Sequence, residues 1–308
     1  MVYTLLFLLF IAIFIGGMTL LRKGLFHLSA NRMQKWLSVM TDSPFRGLLA
    51  GMAVTALLHS SSAVMVLTIG LISAGMLSFS RSIGIILGSN IGTTFTLEII
   101  TFDIDAFIVP LAVLGAILMV CQKGSWRSIG MVTFGIAAVF AAMRGFTFLA
   151  EPVTSIAQVE RTIANLNNSL FQSIAAGTIL TAAIQSSTAM TGIIMGFLTE
   201  GTLYMGSAVA MMLGANIGTC ITAVLASYGG GRESKLTAYA HVWLNIAGAA
   251  VFYPFIDQIA ALAPYTAARP EVQLAHVSVV YNVISSLLVL PFAEQFGRLI
   301  EFVHGRCR

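Results

Sequence analysis

Charge is scarce in this chain of 308 residues: 9% are Asp, Glu, Lys or Arg, 57% are hydrophobic, and the mean hydropathy is +0.91. That balance excludes a water-soluble domain of this length and places the chain in a bilayer. Cysteine is nearly absent, with three residues, Cys121, Cys220 and Cys307, far apart and without CxxC or metal-ligand spacing. A disulfide framework and a thiolate metal site are both excluded, and free thiols are expected. The net charge of +4 reflects basic cytoplasmic loops rather than a nucleic-acid partner.

Long apolar runs are what the chain has in quantity. A helix needs about 20 apolar residues to cross the hydrocarbon core. The first run, Val2 to Leu21, is too long for a signal-peptide core, has no basic residue before it and is followed by Arg22 and Lys23, so it reads as a retained helix with its N-terminus outside.

Laid on itself, the chain repeats. Gly51 to Ala63, which contains His59-Ser60-Ser61-Ser62, aligns with Gly177 to Ala189, which contains Gln185-Ser186-Ser187-Thr188, at an offset of 185 − 59 = 126. The register holds without a gap to Gly88-Ser89-Asn90-Ile91-Gly92-Thr93 against Gly214-Ala215-Asn216-Ile217-Gly218-Thr219. The matches are mostly Gly, Ser, Thr and Asn, which shared apolarity does not produce.

In each repeat the apolar stretches before and after the Ser cluster are too short to span, so each pair predicts a re-entrant helical hairpin with the cluster at its tip. The next segments, Ser80 to Phe102 and Met205 to Ser227, are long enough to cross. Their Gly-x-Asn-Ile-Gly-Thr centres predict a break in a transmembrane helix, whose freed backbone groups must line a protected polar cavity. Three crossings then separate the hairpins, the third and second being Ser128 to Phe148 and Ala106 to Val120, and an odd number inverts repeat two. This threading leaves only Arg144, Arg161 and Arg269 opposite the other basic residues, of 16 in all, and makes the C-terminus cytoplasmic in an inner cell membrane. The expected fold is therefore an all-α polytopic membrane protein in one transport domain: an N-terminal helix over 1–43, inverted repeats over 44–148 and 170–296, and a short cytoplasmic tail over 297–308.

Inverted repeats with interrupted helices mark secondary transporters, whose site lies near the midplane where the repeats meet. Ser60, Ser61, Ser62, Ser186, Ser187 and Thr188 offer hydroxyls, with unpaired N–H groups at the start of the second hairpin helices, and suit an anion. His59, Gln185, Asn90, Thr93, Thr94, Asn216 and Thr219 are candidates for the anion or for a hard monovalent cation such as Na⁺. Neither motif contains Lys or Arg, so co-bound cations are expected to supply the missing charge. His241 and Asn245 share one helical face, and His276 and Asn282 echo them. Ligand contact and helix packing both remain open for these, as does a purely interfacial role for Glu98. A homo-oligomer is compatible with all of this.

At these motifs the sequence resembles the type II sodium-dependent phosphate (Na/Pi) cotransporter family, whose hallmark is a duplicated Gln-Ser-Ser-Ser, each copy followed by Gly-x-Asn-Ile-Gly-Thr. The likeness runs from about residue 40 to residue 295. It implies sodium-coupled symport of inorganic phosphate, with Na⁺ as the coupling ion, no enzymatic activity, and the tip and Asn-Thr residues above as the binding set. This chain departs from the pattern at His59, where the family has Gln, and at Thr188, where it has Ser.

Three rivals are weighed. An intramembrane serine hydrolase would explain Ser beside His, but it needs one nucleophile rather than two equivalent clusters. A non-transporting subunit would tolerate changes at both clusters. A carrier of sulfate, arsenate or a carboxylate is separated from a phosphate carrier by the resemblance alone, since hydroxyls and amides recognise many oxyanions.

His59 introduces a group that titrates near neutral pH where the family has an amide. Replacing it, His59→Gln, is expected to preserve uptake and flatten its pH dependence; an unchanged pH profile removes His59 from the transport cycle.

Overall fold

A computed structural model describes residues 2–39, 42–121 and 124–305; Cys307, considered above, and the basic residues Lys123, Arg306 and Arg308, counted there on the cytoplasmic side, lie outside them. Among the described residues the chain forms 14 α-helices and no strand. A long first helix, α1 (Val2–Val39), precedes a hairpin of α2 (Pro44–Leu58) and α3 (Ser61–Ser73), then α4 (Phe79–Ile100), α5 (Asp105–Val120) and α6 (Gly124–Thr154). After α7 (Ala157–Asn168), the second hairpin, α8 (Leu170–Ile184) and α9 (Ser187–Thr199), leads into α10 (Met205–Ser227). Then follow α11 (Arg232–Phe252), α12 (Ile256–Leu262), α13 (Pro270–Val289) and α14 (Ala293–His304). Six segments, built on α1, α4, α6, α10, α11–α12 and α13–α14, are long and apolar enough to cross a membrane.

The hairpins form where the sequence repeats, and the repeated residues make their turns. Ser43 and Ser169 cap α2 and α8 by accepting from the N–H groups of Arg46 and Gln172, each at 3.3 Å. His59 and Gln185 end those helices at φ of 50° and 57°, the only positive-φ residues other than glycine among the described residues. Ser60 and Ser186 then start α3 and α9 by accepting from Ala63 N–H at 3.1 Å and Ala189 N–H at 3.2 Å. The left-handed conformation costs a residue with a Cβ roughly 1–2 kcal/mol. Such strain persists only where the surroundings over-determine the turn.

The helix break expected at Gly-x-Asn-Ile-Gly-Thr is not there: α4 and α10 are each one continuous helix. The glycines serve close packing instead. A Cβ on Gly88 would collide with the Leu48 carbonyl, and one on Gly92 would come within 2.6 Å of the Thr55 Cβ. In repeat two, a Cβ on Gly214 would collide with the Ile174 carbonyl and one on Gly218 would lie 2.8 Å from the Thr181 Cβ. Each contact has its mate 126 residues on (48 to 174, 55 to 181, 88 to 214, 92 to 218), so both hairpins dock backbone-to-backbone on the long helix that follows them.

The two repeats are inverted. At the N-terminal end of α4, Phe79 N–H donates to Glu233 Oε2 at 2.8 Å, and Ser73, the last residue of α3, pairs with Ser234 at 2.9 Å. At its C-terminal end, Arg269 donates to the Thr101 carbonyl and lies 3.5 Å from Glu271, which accepts from Thr199 at 3.1 Å. Ser73 and Thr199 are repeat mates, yet they sit at opposite ends of one spanning helix. Arg81 and Arg232 share a cavity with Ser73, and Arg144 shares one with Thr199 and Arg269, which puts Arg144 and Arg269 at the end opposite Arg81 and Arg232.

Two amphipathic helices, α7 and α14, complete the fold. Residues 297–304, expected as part of a tail, belong to α14, whose Gly297 and Ile300 are buried; a Cβ on Gly297 would meet Ile83 at 2.8 Å. His304 stacks on Tyr239 at a centroid distance of 4.3 Å and accepts from Trp243 Nε1 at 2.9 Å.

Adding a methyl group at the docking glycines tests this packing. Gly88→Ala and Gly214→Ala are each expected to cost about 1–3 kcal/mol, read as a lowered thermal midpoint of the detergent-solubilised protein. Gly16→Ala, where a Cβ meets nothing within 4 Å, is expected to hold or raise the midpoint. Equal midpoints for all three variants would contradict the packing role.

Candidate functional site

The two tips open onto one cavity. Ser60 and Ser62 from the first tip, Gln185 from the second, Arg22 of α1 and Thr222 of α10 line a space of about 660 Å³, closed on its apolar side by Phe26, Leu67 and Leu225. Of its described lining residues only Arg22 is charged. By contrast the cavity among α10, α12 and α13, lined by Val209, Phe252 and Ile259, is almost wholly apolar and offers an ion nothing.

Each tip divides its labour. The first hydroxyl, Ser60 or Ser186, is spent as a helix cap. Ser61, Ser62, Ser187 and Thr188 have no hydrogen-bond partner for their hydroxyls among the described residues, although Ser61, Ser187 and Thr188 are buried. The N–H groups of Ser61 and Ser62, and of Ser187 and Thr188, head their helices without an intrahelical acceptor. The hydroxyl oxygens of these four residues are not enclosed: the fully buried side-chain oxygens without a partner among the described residues are those of Thr55, Thr181 and Glu98. Of the four only Ser62 lines the tip cavity, where its hydroxyl, the N–H groups heading α3 and the Arg22 guanidinium make a donor-rich environment that suits an oxyanion; Ser61, Ser187 and Thr188 do not line it.

The tip residue of repeat one is held on two sides. Arg22 Nε donates to the His59 carbonyl at 3.3 Å, and His59 Nδ1 lies 3.0 Å from Thr96 Oγ1. Gln185, its mate, is exposed and its side chain has no partner among the described residues. Asn90 makes no side-chain hydrogen bond, and Asn216 makes only a long one of 3.7 Å to Met212 Sδ, so both amide oxygens are available as cation ligands. Thr93, Thr94 and Thr219 donate to the carbonyls of Ser89, Ile91 and Ala215 at 2.9, 2.7 and 2.9 Å, which leaves only their lone pairs to offer. None of Asn90, Thr93, Thr94, Asn216 and Thr219 lines the tip cavity.

His241, Asn245 and Asn282 are buried, and His241 Nδ1 has no partner among the described residues. Asn245 donates to the His241 carbonyl at 2.9 Å and approaches Cys220 Sγ at 3.3 Å, and Asn282 donates to the Ser278 carbonyl at 2.9 Å. Glu98 bridges α4 to α13 through His276 at 3.6 Å.

Sequence reasoning missed Arg22, Thr96 and Thr222. It also missed Thr55 and Thr181, repeat mates whose buried hydroxyls have no partner among the described residues. Arg22 carried a signal: the apolar segment continues to Ser29, so an arginine read as a loop boundary lies within a spanning helix.

The model of the Na⁺/Pi-cotransporter family matches residues 13–148 and again 149–263, once over each repeat. The chain belongs to this family. Among its relatives are the uncharacterized protein YqeW of Bacillus subtilis, 39% identical over 80% of each chain, and the putative inorganic phosphate export protein YjbB of Salmonella typhimurium, 25% identical over 82% of this chain. The human sodium-dependent phosphate transport protein 2C is 31% identical over 32% of it. The chain spans 47% of the export protein and 18% of the human one. No solved structure matches. The Na⁺/Pi-cotransporter family is one of transporters, and its twofold match falls on the repeats that carry the two tips.

Proposed function

We propose that the chain carries inorganic phosphate across a cell membrane, coupled to Na⁺, with the anion held between the two hairpin tips. The observation that carries this reading is the shared cavity: Ser60, Ser62 and Gln185, from opposite repeats, line one space. Phosphate as cargo is supported by the family and by relatives whose names carry phosphate transport and phosphate export.

In this reading the hairpins are re-entrant. At 15 and 13 residues the helices of the first reach roughly 22 Å and 20 Å, short of a hydrocarbon core of about 30 Å. Their tips therefore stop within the bilayer, where free hydroxyls and helix N-termini are paired only by cargo. Ser61, Ser62, Ser187 and Thr188 donate to the phosphate oxygens. Na⁺ takes the amide oxygens of Gln185, Asn90 and Asn216 and the lone pairs of Thr93, Thr94 and Thr219. The coupling follows from charge: a phosphate without counter-ions is too costly to pass through a low-dielectric interior.

The N-terminus then lies outside and the C-terminus in the cytoplasm of an inner cell membrane. Arg81 and Arg232 fall on the cytoplasmic face and Arg144 and Arg269 on the other, in keeping with the positive-inside rule. Direction of net flux is set by the gradients, so symport inward and export share this machinery.

Radiolabelled phosphate uptake into proteoliposomes, with and without an inward Na⁺ gradient and with sulfate as competitor, tests the reading. Uptake is expected to require the gradient and to resist sulfate. Ser61→Ala and Ser187→Ala are each expected to reduce it at least tenfold, since a hydrogen bond to a charged group contributes about 1.5–3 kcal/mol. Full uptake in both variants defeats the site assignment, and sulfate as the better cargo turns the reading to another oxyanion.

A further inference from the structure

We propose that Arg22 is the specificity-determining charge of the site, gripping the oxyanion held between the tips from the side of the first and leaving Na⁺ to the amide oxygens away from it. The inference rests on the reading of the tip cavity as an anion site.

Arg22 belongs to the spanning segment Val2–Ser29, where a guanidinium is expensive unless something pairs with it. Among the described residues no carboxylate pairs with it. Among the described residues its one hydrogen bond uses Nε, which donates to the His59 carbonyl at 3.3 Å, and all four Nη hydrogens are left without an acceptor. Those hydrogens belong to a group that lines the same cavity as the Ser60 and Ser62 side chains. A guanidinium anchored at Nε with its fork free matches the paired oxygens of a tetrahedral oxyanion.

The placement is asymmetric, and the asymmetry assigns the ions. Arg22 comes from α1, before the repeated segments, and it alone is charged among the described residues lining the cavity, so Gln185 at the second tip has no cation of its own repeat beside it. A Na⁺ beside Arg22 would face a like charge at close range in a low dielectric. Beside Gln185 it meets a free amide oxygen. The bland alternative is that Arg22 only caps the carboxyl end of α2, whose terminal carbonyls attract a cation. A cap requires the Nε bond alone and is indifferent to phosphate.

Kinetics of purified full-length chain in proteoliposomes separates the two roles. Arg22→Gln is expected to raise the phosphate KM at least tenfold while the Na⁺ concentration for half-maximal uptake moves less than about twofold. Arg22→Lys, which keeps the charge and loses the fork, is expected to fall between. Arg22→Gln and Arg22→Lys that both keep the wild-type phosphate KM overturn the assignment while leaving phosphate transport in place. If Arg22→Gln does not survive purification, a wild-type phosphate KM in Arg22→Lys overturns it, and a raised KM with unchanged Na⁺ dependence supports it. A wild-type protein that moves no oxyanion overturns both this inference and the transport reading.

Discussion

The backbone contact between a hairpin and the long helix that follows it is the constraint from which the rest of the structure follows. Gly88 lies against Leu48 and Gly214 against Ile174 so closely that no side chain fits between them. In a bilayer, helices gain little from the hydrophobic effect against one another, and close approach of small residues supplies the attraction instead. Two such contacts, 126 residues apart, hold two strained turns at His59 and Gln185 in defined places. Only with the turns fixed can Ser60 and Ser62, behind the first, and Gln185, at the second, line one cavity.

The charge balance follows from that geometry. The tips present donors without negative charge, and α1 adds a single guanidinium from outside the repeats. A pseudo-symmetric scaffold thereby gains an asymmetric site: repeat one carries His59 and a neighbouring Arg22, and repeat two carries Gln185 and no cation. Duplication built the frame, and the helix preceding it distinguishes the two halves.

Much of this was legible in the sequence because its signals were local and doubled. The repeat offset and the pair of short helices around each Ser cluster followed from Ser, Gly and span length, whereas the use of Ser60 and Ser186 as helix caps did not. The Gly-x-Asn-Ile-Gly-Thr centres were misread, because a glycine that permits a break and a glycine that permits contact look alike until the facing helix is known. Leu48 and Ile174 are that facing helix, and they lie 40 residues before Gly88 and Gly214. Arg22 was taken as the end of a span because an apolar run was cut at its first charge; the helix continues to Val39. His241, Asn245 and Asn282 were open between packing and ligand contact; in the structure Asn245 and Asn282 donate to carbonyls of their own helices, Asn245 also reaching Cys220, while the buried His241 Nδ1 has no partner among the described residues.

The account depends on both tips contacting a single bound anion. Thiol labelling measures this directly. With Cys121, Cys220 and Cys307 replaced, one cysteine is placed at Ser62 or at Gln185, and its modification rate is followed with phosphate and Na⁺ added together. Shared occupancy predicts that phosphate slows labelling at both positions with the same half-maximal concentration. Protection at one position with none at the other, or two widely different phosphate concentrations, would contradict a common site.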